Sequence, residues 1–104
     1  MNDLSKVYTE EAVLLRKTMK WLEPQVRDNI VALRICDRYA KGYSDIFICV
    51  NGRLVLAELK DDTGHPSPHQ LLFIKKMRKA GAIGGICRSI QDVADLIDQA
   101  KNIK

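Results

Sequence analysis

The chain is poor in aromatic side chains, with one Trp, three Tyr and two Phe among 104 residues. Modules that read single-stranded nucleic acid stack bases on such rings, so the composition argues against that mode. Long apolar runs are lacking too. None approaches the roughly 20 residues that cross a bilayer. Met1 to Glu11 carries no apolar stretch behind a basic one, so no signal peptide is expected. Cys36, Cys49 and Cys87 are odd in number and form no C-x-x-C pair, which argues against a disulfide framework and a zinc site. The apolar neighbours of Cys49 and Cys87 predict reduced, buried thiols. Nothing in the sequence marks a linker, a repeat or a low-complexity tract. A single cytoplasmic domain over residues 1–104, long enough to bury roughly two-thirds of its unfolded surface, is the expectation.

What is present begins with charge. Seventeen Lys and Arg against thirteen Asp and Glu give a net charge of +4. That excess suits a nucleic-acid partner without requiring one, so the placement of the acids matters more than the total.

The pattern of elements is α-β-β-β-α-β-α. Residues 9 to 22 carry Val13, Leu14, Trp21 and Leu22 at helical spacing, with Thr9 as N-cap and Glu23-Pro24 as the stop. Ile30 to Cys36 reads as a strand, and Lys41-Gly42 as a turn in the polar segment after it. Asp45 to Val50 and Arg53 to Leu59 are strand-like runs joined by Asn51-Gly52, the strongest short-range hairpin signal. Ser67-Pro68-His69-Gln70 has the form of a capping box opening a second helix that ends near Gly81. Ile83 to Arg88 reads as a fourth strand that Gly84 and Gly85 weaken, and Ser89 caps a last helix to about Lys101. The connection between the third and fourth strands is long enough for a parallel crossover. Ile46, Ile48, Val50, Val55, Ala57 and Leu59 share one face of the hairpin. Phe47, Cys49, Leu54 and Leu56 share the other. Strands apolar on both faces predict helices on both sides of the sheet.

A two-residue turn at Asn51-Gly52 sets Val50 opposite Arg53, Phe47 opposite Leu56, and Asp45 opposite Glu58. Opposed β-carbons lie only about 4.5–5.5 Å apart, so two carboxylates would repel there. Lys60 falls on the same face. A shared proton, a basic neighbour or a bound cation would relieve the repulsion, and hard oxygen ligands around an open position suit Mg2+. The simpler alternative is that Asp45 and Glu58 pair with Lys60 and Arg38 at the sheet rim.

An acid, a hairpin and then Glu58-Leu59-Lys60 resemble the PD-(D/E)xK nuclease pattern, with Ser44 standing where that pattern has proline. The wider string G-Y-S-D-I-F, A-E-L-K, G-H-P-S-P-H-Q and a basic helix ending at Gly81 is similar to the VRR-NUC branch, from about Thr9 to Ile97. The resemblance implies a restriction-endonuclease-like αβββαβ core, with a mixed four-stranded sheet sandwiched by helices and a C-terminal helix added. It implies that Asp45, Glu58 and the Leu59 carbonyl bind metal and that Lys60 positions or activates the attacking water. A helix-one glutamate is matched by Glu11 or Glu10. Glu11 lies on the side of Leu14, Leu15, Thr18 and Leu22, though first-turn glutamates also suit the helix dipole. Gln70 matches a site glutamine, yet the capping box already accounts for it, and the two roles are compatible only if the side chain leaves the cap.

The activity so implied is Mg2+-dependent hydrolysis of DNA phosphodiesters, with Mn2+ able to substitute. Stand-alone relatives of this type, typical of phages and prophages, are structure-selective endonucleases on branched DNA such as four-way junctions, and they assemble as homodimers or larger. A two-fold junction offers two equivalent strands to a symmetric dimer. Lys75, Lys76, Lys79, Lys17 and His69 are candidates for DNA contact, as phosphate holders that carry little sequence information. Exposed apolar residues of the last helix are candidates for the dimer surface. Two other readings stay open: an inactive nucleic-acid-binding module on the same scaffold, and a small α/β protein-interaction domain.

Overall fold

The computed structural model describes residues 10–34 and 45–103, with Glu10 described in its backbone only. Thr9, Cys36, Arg38, the Lys41-Gly42 turn, Ser44 and the Glu10 side chain therefore lie outside the described residues. Among the described residues the order is helix α1 (Glu10–Leu22), a 3-10 turn (Glu23–Gln25), strands β1 (Ile30–Arg34), β2 (Ile46–Val50) and β3 (Arg53–Leu59), helix α2 (Pro68–Lys79), strand β4 (Ile83–Cys87) and helix α3 (Ile90–Lys101). Pro24 stops α1 as its fixed φ and missing N–H require. No helix among the described residues is long and apolar enough to cross a membrane.

The sheet order is β1-β2-β3-β4, with the first two pairings antiparallel and the last parallel. Asn51 (φ 52°) and Gly52 (φ 82°) both take positive φ, as a two-residue turn matched to strand twist demands. That turn fixes the expected register: Ile46 pairs with Ala57, Phe47 with Leu56 and Val50 with Arg53. Despite its two glycines, Ile83–Cys87 holds a parallel ladder along β3.

One face of the sheet carries the main core. Ile46, Ile48, Val50, Val55, Ala57 and Leu59 are fully buried there with Leu22 of α1 and Val93, Ile97 and Ala100 of α3. Each of the Val, Leu and Ile side chains among them contributes roughly 1.5–3 kcal/mol by leaving water. The other face is covered by α2, through buried Ile74 and a stacked Phe47–Phe73 pair with centroids 6.1 Å apart.

This cover is incomplete, and two expectations change with it. Cys49 is exposed, whereas Cys87 is buried as expected. On β1, Val31 and Leu33, paired with Cys49 and Phe47, are 56% and 61% exposed. Among the described residues, the sandwich is thus closed on the α1–α3 face, while no helix covers Val31, Leu33 and Cys49 on the other. Alternation of apolar residues marks which side chains share a face, but not how far a helix extends across it.

Candidate active site

The antiparallel register carries Asp45 one step beyond the β2 ladder, level with Glu58. Asp45 Oδ2 accepts the Leu59 N–H at 2.8 Å, so a side chain closes the end of the hairpin. Leu59 itself points into the main core, fully buried. Glu58 is completely inaccessible (0%), on the strand face opposite Leu59.

Two groups bind one oxygen of the Glu58 carboxylate. Gln70 Nε2 donates to Oε2 at 2.9 Å, and Lys60 Nζ lies 3.3 Å from the same oxygen. The other oxygen, Oε1, is buried without a hydrogen-bond partner. From α1, Glu11 brings Oε1 to 3.3 Å from Lys60 Nζ while staying partly exposed. Carboxylate oxygens of Glu11, Asp45 and Glu58 all lie within 4.8 Å of one another. With Ala12, Leu15, Lys60 and Gln70 they line a cavity of about 320 Å³.

Electrostatics follow from this crowding. Burial first, and the negative charge of Asp45 second, push the Glu58 carboxyl up to about 7 against the opposing pull of Lys60. For Lys60, burial favours the neutral amine, but the charges of Glu58 and Glu11 outweigh it and the ammonium is held above its ordinary range. At neutral pH the site therefore contains a firmly charged cation and a carboxyl near its titration point. An acid cluster with one buried member, Glu58, whose second oxygen is orphaned is compatible with a divalent cation, because hard cations take carboxylate oxygens as ligands.

Of the candidates the sequence offers for this centre, Asp45, Glu58, Lys60, Gln70 and Glu11 line one cavity, whereas the Leu59 carbonyl is not part of that lining and the Glu10 side chain lies outside the described residues. The expected competition at Gln70 does not occur. Its Oε1 accepts the Ser67 N–H at 2.8 Å to complete the capping box, while its Nε2 serves Glu58. An amide has two ends, and the geometry uses both. Lys17 on α1 and His69, Lys75, Lys76 and Lys79 on α2 stand exposed, on the two helices that supply Glu11 and Gln70.

One residue has no signal in the sequence. Arg88, just after β4, donates from Nη1 to the carbonyls of Asp61 and, at 2.9 Å, Gly64. No spacing rule links an arginine to a loop more than twenty positions earlier. A larger cleft of about 530 Å³ opens around the Asn51-Gly52 turn, at the far end of the hairpin, and its lining includes no acid. The acid triad lines the smaller cavity.

The mixed four-stranded sheet, flanked by helices with the hairpin and parallel crossover in this order, is a restriction-endonuclease-like α/β fold. Among solved structures the chain is similar to a VRR_NUC domain, with a TM-score of 0.68 and 24% sequence identity over 88% of this chain and 97% of that one. The likeness is one of fold. No sequence model of a known family matches the chain, and no curated protein does so either.

Proposed function

We propose that the protein is a divalent-metal-dependent DNA endonuclease that hydrolyses phosphodiester bonds, with a preference for branched duplexes such as four-way junctions. The carrying observation is the triad Glu11, Asp45 and Glu58, within 4.8 Å, with one buried carboxylate oxygen unpartnered. Asp45, Glu58, Glu11 and the Leu59 carbonyl would hold the ion. Mg2+, or Mn2+ in its place, would polarise the phosphoryl oxygen and lower the pKa of a bound water.

The chain's own groups divide the remaining work. Lys60, kept charged by Glu58 and Glu11, orients the attacking water by charge and hydrogen bonding instead of by taking its proton. Gln70 fixes the Glu58 carboxylate from the start of α2. Lys17, His69, Lys75, Lys76 and Lys79 hold backbone phosphates on either side. Targeting to branched DNA would come from self-association, in the cytoplasm of a bacterial or phage-infected cell. Support for a homodimer comes from the uncovered apolar face at Val31 and Leu33. The last helix, the earlier candidate, has no large hydrophobic residue among the exposed ones.

The test compares wild type and Asp45→Asn on labelled four-way junctions, flaps and linear duplex with Mg2+ or Mn2+. Wild type should cut junctions in preference to linear duplex, and the variant should cut none. Binding without cleavage by wild type would leave a binding module. Neither binding nor cleavage would leave an interaction domain.

A further inference from the structure

The segment between Lys60 and Gln70 joins two residues of the site, and its shape is set from outside. Asp61 Oδ1 accepts the N–H groups of Thr63 (3.0 Å) and Gly64 (2.6 Å) and the Thr63 hydroxyl (3.1 Å), winding the chain into a tight turn. That turn lies against the stem of Lys60: a β-carbon at position 64 would stand 3.5 Å from Lys60 Cδ. Arg88 Nη1 then grips the turn by two carbonyls, those of Asp61 and Gly64.

Arg88 is itself anchored. Its N–H donates to Asp92 Oδ2 at 2.8 Å, and the Asp92 N–H donates to the Ser89 hydroxyl at 3.2 Å, so the start of α3 fixes its backbone. One residue before it, the Cys87 carbonyl accepts the Lys60 N–H at 3.0 Å. The β4–α3 junction therefore holds Lys60 twice, through its main chain and through the turn packed on its side chain.

We propose that Arg88 is a positioning residue: by clamping the Asp61–Gly64 turn it holds the Lys60 stem in place, and so directs the ammonium at the Glu58–Glu11 carboxylates. Resting on the nuclease reading for its catalytic consequence, the clamp has a structural consequence that stands apart from it. A flexible four-carbon stem explores many rotamers, and confining it keeps the charge where the attacking water must sit.

The experiment uses the full chain, with Arg88→Ala and Arg88→Gln, and Arg53→Ala as control. Arg53 makes a similar contact, to the Gly81 carbonyl at 2.9 Å, at the far end of the hairpin. Both Arg88 variants should lose about tenfold to a hundredfold in kcat for junction cleavage while the Kd for junction DNA in Ca2+ stays within about twofold. In a Lys60→Ala background, Arg88→Ala should cost nothing further. Losses that multiply in the double variant would overturn the proposal, because Arg88 would then act independently of Lys60.

A readout without turnover accompanies it. With 13C-labelled lysine, the Lys60 Cε order parameter should be high in wild type and Arg53→Ala and should fall in both Arg88 variants, together with amide-exchange protection at Thr63 and Gly64. An unchanged Lys60 order parameter overturns the clamp, whatever the activity. If wild type cuts no DNA, the nuclease reading fails and the order parameter alone decides the clamp. The Gln variant retains a polar side chain and decides the matter should the Ala variant fold poorly.

Discussion

Gln70 and Glu58 are joined by a hydrogen bond of 2.9 Å from the same amide whose oxygen caps α2 at Ser67. The start of a helix and the orientation of a buried carboxylate are thus one structural element. Substitutions at position 70 should separate its two halves.

Gln70→Glu keeps an acceptor for the Ser67 N–H but replaces the donor to Glu58 with a negative charge. In EDTA at pH 8 it should be less stable than wild type by about 1–3 kcal/mol, the range for an uncompensated buried polar group. Near pH 5, where Glu58 is protonated, the deficit should shrink. Urea unfolding at the two pH values reads this directly, and equal stability of the two proteins at pH 8 would contradict the bond.

Glu58 should also shape the pH dependence of the metal-free wild type. Its carboxyl is raised from 4.5 to about 7 by folding, so the folded state binds the proton more tightly than the unfolded chain. The associated stability is fully present below about pH 4.5 and is lost as pH rises to about 7, an amount on the order of 3 kcal/mol. Asp61 works in the opposite sense, because the backbone N–H of Gly64, then that of Thr63, lowers its pKa. The difference between wild type and Glu58→Gln in EDTA, followed by urea unfolding from pH 4.5 to 8, isolates the Glu58 part. A difference that does not vary with pH would refute it.

Divalent ions should reverse that loss. An ion bound only by the folded state at a hundredfold excess over its Kd adds about 2.7 kcal/mol. The melting temperature at pH 8 should therefore rise with millimolar Mg2+ or Mn2+, and Asp45→Asn or Glu58→Gln should abolish the rise. Calorimetric scans of wild type that remain unmoved by either ion would rule out the proposed metal centre.

The two sheet faces should respond differently to truncation. Ile48→Ala removes a fully buried side chain and should cost about 2–5 kcal/mol. Leu33→Ala, at a 61% exposed position, should change monomer stability by no more than about 0.5 kcal/mol. Under the proposed self-association, Val31→Lys with Leu33→Lys should yield monomers by light scattering. A dimer that survives both changes would place the interface elsewhere.

The hairpin and its opposed acids were legible in the sequence because a positive-φ dipeptide leaves little freedom of register. Once Asn51-Gly52 is read as a two-residue turn, Asp45 must meet Glu58. The order of helices and strands followed from their periods for the same local reasons, whereas the restriction-endonuclease-like core was implied by the resemblance. Three features were not legible, each for a distinct cause. Exposure of Cys49 depends on the breadth of α2 across the sheet, which alternation does not encode. The double bond pattern of Gln70 depends on which end of an amide faces which partner. Arg88 reaches the Asp61–Gly64 turn only after β4 has crossed to lie beside β3.

The acids of the site come from α1, the residue just before β2 and the penultimate residue of β3, and the amide that steadies Glu58 comes from α2. No short piece of chain contains the set, so it comes together only when these elements dock. The hairpin alone brings Asp45 to Glu58, but the third acid, Glu11, joins them only when α1 docks, so the full set and its mutual repulsion are complete late in folding. A cation that relieves it should act mainly on the rate of escape from the native state, leaving the rate of entry almost untouched. Ion supply would then govern how long each molecule persists once made, as well as what it does.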